Sequence, residues 1–107
     1  MRRLEQKKLL TIITSRAYEK MIIEALRECG VGGYTVVSAS GAGASGIQSG
    51  MLDSDSNILI YVVLSEDRME SVFDNLEDMM QRGYRIKVIV SDISLLPRTK
   101  ASAASTN

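Results

Sequence analysis

Apolar and polar residues alternate along the chain with two different periods, and each change of period separates a strand from a helix. An apolar segment at 9–13 is typical of a strand. Apolar residues then recur every three or four positions, which predicts a helix whose apolar side carries Tyr18, Met21, Ile22, Ala25, Leu26 and Cys29. Ser15 is a candidate N-cap of this helix, and Gly30 is a candidate for its end. A second strand is predicted at 34–39.

The second half of the chain repeats this order. A strand is predicted at 58–64, and Ser65 is a candidate N-cap of the helix after it. That helix ends at Gly83, and its apolar stripe consists of Met69, Val72, Phe73, Leu76, Met79 and Met80. A fourth strand is predicted at 86–90. Two strand–helix–strand units predict a ferredoxin-like α+β fold with split βαβ topology, in which two helices cover one face of an antiparallel four-stranded sheet.

The strand at 58–64 indicates that both faces of the sheet are covered. All its residues are apolar, whereas a strand with helices on one face alone should alternate apolar and polar residues. A chain of 107 residues has no further element for the second face. We therefore expect further copies of the chain to cover it. The alternative is an exposed apolar patch.

Composition and charge exclude several classes of function. Thirteen Lys and Arg residues balance thirteen Asp and Glu residues, which argues against a nucleic-acid partner. The chain has no histidine, so serine and cysteine triads and the usual zinc sites are excluded, and no enzymatic activity is expected. Its single cysteine cannot form an internal disulfide, and its apolar segments are too short for a membrane span or a signal peptide. A cytoplasmic location is therefore expected.

The segment 41–56 is rich in glycine and serine and shows neither the apolar period of a strand nor that of a helix. Its small first residues, GAGASG, allow backbone N–H groups to surround a phosphate, although the lysine of a P-loop is absent. A flexible linker is the alternative. Asp53 and Asp55 are expected to be solvated, so no metal site is predicted. Basic residues near the second helix and the last strand are either surface charges or phosphate partners, namely Arg82, Arg85, Lys87 and Arg98.

The segment GVGGYTVVSASGAG at 30–43, followed by the strand ILIYVVLSED, resembles the PII signalling superfamily and especially its PII-like branch. The resemblance extends over most of a single domain at 1–99, in which 41–56 corresponds to the T-loop. The tail at 100–107 has no residues to bury and is expected to be disordered. The resemblance implies a trimer whose sheets face the threefold axis, with nucleotide sites between subunits.

The resemblance also implies roles for individual residues. Thr35 would meet the adenine, and Ile12 and Val63 would line the base pocket. The ribose and phosphates would lie at the T-loop base. Basic residues of the same chain and of its neighbour would reach the phosphates. The remaining candidates for nucleotide binding are Gly41, Ala42, Gly43, Ser45, Arg82, Arg85 and Arg98.

The chain departs from the nitrogen-regulatory PII proteins in two places. The connection at 81–85 is too short for their lysine-bearing B-loop, and the T-loop lacks their modified tyrosine. ADP or AMP is therefore favoured over ATP. The resemblance to the PII-like branch, and not these departures, implies bicarbonate as a second ligand. The implied function is a switch of the T-loop that regulates a partner in inorganic-carbon metabolism, such as a bicarbonate transporter or a carboxysome component. The alternatives are a CutA-like metal-tolerance trimer and a nitrogen-regulatory role.

Overall fold

The computed structural model describes residues 3–40 and 56–98, which form a four-stranded sheet with two helices on one face. The elements follow in the order β1 (Glu5–Ser15), α1 (Glu19–Glu28), β2 (Thr35–Ala39), β3 (Asn57–Leu64), α2 (Met69–Gln81) and β4 (Ile86–Leu95). The spatial order of the strands is β2-β3-β1-β4, and all neighbouring pairs are antiparallel. The predicted ferredoxin-like α+β fold is confirmed. The tail at 100–107 lies outside the described residues.

The core lies between the sheet and the helices. Every second residue of β3 is buried, which fits a strand with one face against the helix layer. These residues pack with buried side chains of β1, α1 and α2, and the largest fully buried members of the cluster are Leu10, Ile12, Ile22, Ile58, Ile60, Val62, Val72 and Leu76. Burial of each such side chain contributes about 1.5–3 kcal/mol.

The opposite face of the sheet, which we call the open face, is also apolar. Thr11 is paired with both Tyr61 and Ile89, and residues directly opposite each other share a face. Val37, Val63 and Ile89 on this face remain 42%, 44% and 45% exposed. The helices therefore leave one apolar face uncovered, as the sequence of β3 predicts.

β1 and β4 extend beyond the segments that the apolar pattern predicts. Their ladder continues to the pair formed by Glu5 and Leu95. Within this extension, Lys8 Nζ donates a hydrogen bond to the carboxylate of Asp92 on the neighbouring strand. This hydrogen bond raises the pKa of the Lys8 ammonium. Polar cross-strand pairs thus support the extension, and an apolar pattern cannot reveal them.

Each helix is preceded by a serine and a 3₁₀ turn, but only one of the two serines makes a capping hydrogen bond. The Ser15 hydroxyl accepts a hydrogen bond of 3.1 Å from the backbone N–H of Ala17. Ser15 therefore caps a 3₁₀ turn at Arg16–Tyr18 that leads into α1, whereas the N-cap of α1 itself is Tyr18. Ser65 occupies the same position before the 3₁₀ turn at Glu66–Arg68 but makes no capping hydrogen bond, and the N-cap of α2 is Arg68, so the predicted cap there is wrong. Its hydroxyl donates instead to the carboxylate of Asp67, which lowers the pKa of that carboxyl.

Each helix is followed by a glycine whose backbone φ lies in the left-handed region. Gly30 follows α1 with φ of +86°, and Gly83 follows α2 with φ of +99°. A Cβ at Gly30 would lie 2.0 Å from Nη1 of Arg68, whereas a Cβ at Gly83 would meet nothing within 4 Å. The same Nη1 donates to the carbonyl oxygen of Cys29 at 3.2 Å. Position 30 therefore requires a glycine for two reasons, its positive φ and the closeness of Arg68, whereas only the positive φ favours glycine at position 83.

Gly30→Ala is expected to destabilise the protein more than Gly83→Ala. Both changes place a Cβ at positive φ, which costs about 1–2 kcal/mol. Only Gly30→Ala also displaces Arg68 from the Cys29 carbonyl, which adds about 1 kcal/mol to the loss in free energy of unfolding. Denaturant unfolding of both variants at one protein concentration measures the difference. Equal losses would mean that Arg68 moves away without cost.

Candidate functional site

Four strand ends meet at one end of the sheet, which we call the loop-base end. β1 and β2 end there, and β3 and β4 begin there. Ala39 and Asn57 form the last pair between β2 and β3. The chain therefore enters and leaves the predicted T-loop at this end.

Arg16 connects β2 and β3 at the loop-base end. Its backbone N–H donates to the carbonyl oxygen of Ser56 at 2.8 Å. Its guanidinium donates from Nη2 to Oγ of Ser38, and from Nε to Oγ of Ser56 at 3.4 Å. The sequence-based prediction missed this residue. The available signal was an arginine in the first turn of a helical segment, where the helix dipole favours acidic residues.

Thr14 attaches the start of β4 to the end of β1. Its side chain is buried, and Oγ1 donates to the carbonyl oxygen of Arg85 at 2.8 Å. The hydrogen bond satisfies a buried hydroxyl and fixes the backbone of Arg85 at the loop-base end. The structure thus places Arg85 and Arg16 at the same end of the sheet, where an anion would meet positive charge.

Arg82 contacts the helix layer. Its Nη2 lies 3.0 Å from Oδ2 of Asp78, and both residues line a groove of about 270 Å³ between α1 and α2. Both side chains of this ion pair are largely exposed, so the pair contributes about 1 kcal/mol or less. The structure therefore places Arg82 beside an acidic partner and not on the open face.

Thr35 and Val63 share the open face, whereas Ile12 lies on the opposite face. Thr35 is paired with Tyr61, and Val63 follows two residues later on the same side of β3. Ile12 is paired with Ile60, and its side chain is fully buried in the core. The structure therefore contradicts the prediction that Ile12 and Val63 line one base pocket, because alternate residues of a strand point to opposite faces.

Arg98 follows the far end of β4, away from the loop-base end. β4 has ten residues, and a strand rises about 3.3 Å per residue, so about 30 Å separates its two ends. Only two residues, Leu96 and Pro97, separate Arg98 from the end of the strand. Within one chain, Arg98 therefore does not reach Arg85 or Arg16.

The predicted phosphate-binding residues of the T-loop, Gly41, Ala42, Gly43 and Ser45, lie outside the described residues, so their contacts stay a prediction. Among residues 3–40 and 56–98, no three His, Cys, Asp or Glu side chains are grouped as a metal site requires. No helix in this part of the chain is both long and apolar enough to cross a membrane.

Several solved structures have the same fold. CPII from Thiomonas intermedia K12, bound to ADP and bicarbonate, is 28% identical, with a TM-score of 0.80 over 91% of this chain and 95% of that chain. The same protein bound to ADP, AMP and bicarbonate gives 26% identity and a TM-score of 0.81 over 91% and 94% of the two chains. GlnK from B. subtilis, bound to ATP, is 22% identical, with a TM-score of 0.62 over 82% of each chain, and supports the fold alone.

The sequence gives an independent comparison. No curated protein sequence matches the chain significantly. The family of the nitrogen regulatory protein P-II matches residues 7–101, which is most of the chain and includes both helices, three whole strands and β1 from its third residue. The chain therefore belongs to the P-II family, and it is a PII-like regulatory protein.

Proposed function

We propose that this chain is a trimeric signalling protein that binds ADP or AMP in clefts between its subunits. The observation that carries the proposal is its likeness to CPII, whose structure contains ADP and bicarbonate. A second CPII structure contains AMP as well. Bicarbonate is therefore the expected second ligand, and ATP is a further candidate.

The uncovered apolar face supports assembly. An exposed apolar surface of this kind is typical of an interface between subunits. The separation of basic residues along β4 supports sites between subunits, because only a neighbouring chain can bring its Arg98 to the loop-base end. Thr35 and Val63 remain the proposed contacts of the base, and Arg85 is a proposed contact of the phosphates.

The ligand acts as a switch rather than as a substrate. A nucleotide shifts the T-loop between two states only through its different affinity for each of them. The state selected by the ligand binds or releases a regulated protein. The family branch favours a bicarbonate transporter or a carboxysome component as this partner, and a cytoplasmic location follows from that role.

Calorimetry with AMP, ADP and ATP, each with and without bicarbonate, tests the proposal. We expect one adenine-nucleotide site per subunit, weaker binding of ATP, and tighter binding of ADP when bicarbonate is present. GTP is the control for recognition of the base. The absence of heat with every adenylate, at protein concentrations of about tens of micromolar, would reject the nucleotide sensor. Elemental analysis for copper and zinc tests the metal-tolerance alternative.

A further inference from the structure

The side-chain hydrogen bonds of Arg16 are made to neutral groups. Its hydrogen bonds go to the hydroxyls of Ser38 and Ser56. Its acidic neighbour, Glu19, lies 3.9 Å away, and the two side chains are 40% and 36% exposed. An ion pair that is so long and so exposed contributes little. The positive charge of Arg16 is therefore only weakly compensated.

A guanidinium binds an oxyanion more strongly than it binds a hydroxyl. Hydrogen bonds between arginine and phosphate are charge-assisted, and they are about twice as strong as neutral ones. The planar fork of an arginine also matches two oxygens of one phosphate. The two serine hydroxyls hold this fork at the loop-base end. A phosphate that arrives there would therefore compete successfully for it.

We infer that Arg16 is an anion-binding residue at the loop-base end. Ser38 is paired with the buried Ile58 and so lies on the helix side of the sheet. A nucleotide whose base contacts Thr35 on the open face would therefore place its phosphate at the end of the sheet to reach Arg16. Ser38 and Ser56 hold its guanidinium in the free protein, and phosphate oxygens replace them in the complex. Its ligand is the phosphate of a nucleoside mono- or diphosphate, or free inorganic phosphate. The same contacts join the strands on either side of the predicted T-loop, so the exchange removes a link between β2 and β3 when the anion binds.

Inorganic phosphate tests the anion site without a nucleotide. The Nε–H resonance of Arg16, assigned by its loss in Arg16→Lys, is followed by NMR during a phosphate titration of the wild-type protein. A saturable shift is expected for Arg16 and not for Arg27, an exposed residue of α1. A resonance of Arg16 that does not respond to phosphate would overturn the inference.

ADP and adenosine separate a phosphate contact from a general structural effect. The inference rests here on the proposed function. Arg16→Gln should weaken ADP binding about tenfold and leave adenosine binding unchanged. Arg27→Gln removes the same charge elsewhere and should change neither. Equal losses for ADP and adenosine in Arg16→Gln would show that Arg16 only maintains the structure, and would overturn the inference.

Ser38→Ala distinguishes a direct contact from a positioning role. If a phosphate replaces Ser38 as the partner of Arg16, removal of that hydroxyl leaves ADP affinity unchanged or increases it. If Arg16 acts only by holding Ser38, the variant reproduces the loss seen in Arg16→Gln, and the inference is wrong.

Failure of the nucleotide sensor gives a different pattern. If the wild-type protein binds phosphate through Arg16 but binds no adenylate, the proposed function is rejected and the anion site stands. If the wild-type protein and Arg16→Gln bind ADP with equal affinity, the proposed function stands and the role of Arg16 is rejected.

Discussion

Ile89→Lys is expected to separate the subunits of the proposed trimer. Ile89 is 45% exposed on the open face, opposite Thr11 of β1. A lysine ammonium buried there between sheets would lack an acidic partner, and such burial is costly. Association should weaken by about a hundredfold or more at each interface. Light scattering after size-exclusion chromatography should therefore give the mass of a monomer.

The adjacent residue provides a matched control. Val90 is also 45% exposed, but it is paired with Leu10 and lies on the helix side of the sheet. Val90→Lys introduces the same charge at equal exposure, outside the proposed interface, and should remain trimeric. A trimeric Ile89→Lys protein would show that the open face is not the interface. Monomers in both variants would point to a general loss of stability.

The sequence predicted the fold because its helices and its central strand have clear periods. The stripes of α1 and α2 and the apolar run of β3 require a helix layer on one face and leave the other uncovered. The ends of β1 and β4 were less accessible to prediction. The cross-strand contact between Lys8 and Asp92 supports them, and only the register shows that these residues meet.

The candidate site was less predictable than the fold because its residues come from separate elements. Arg16, Ser38 and Ser56 meet only when three segments of the chain come together at the loop-base end. The assignment of Ile12 and Val63 to one pocket failed for a similar reason. Both positions are apolar residues of strands, and pairing alone determines which face each one occupies.

Thr35→Trp is expected to abolish nucleotide binding and Arg98→Ala to weaken it at least about tenfold, and sites of wild-type affinity are expected to return when the two chains assemble together. In the proposed cleft, Thr35 belongs to one subunit and Arg98 to its neighbour. A tryptophan at Thr35 fills the space for the base, and an aromatic residue is well tolerated in a strand. Loss of the Arg98 guanidinium removes a charge-assisted contact with phosphate. Each homotrimer should therefore lack intact clefts.

Trimers that contain both variants provide the decisive measurement, because every such ring has the same number of intact clefts. Two different affinity tags select trimers that contain both variants. In every such ring, one cleft combines the intact Thr35 of one chain with the intact Arg98 of its neighbour, so about one ADP site per trimer should return. Mixed trimers without any site would mean that the two residues act within one chain. Full binding by either homotrimer would remove the substituted residue from the site.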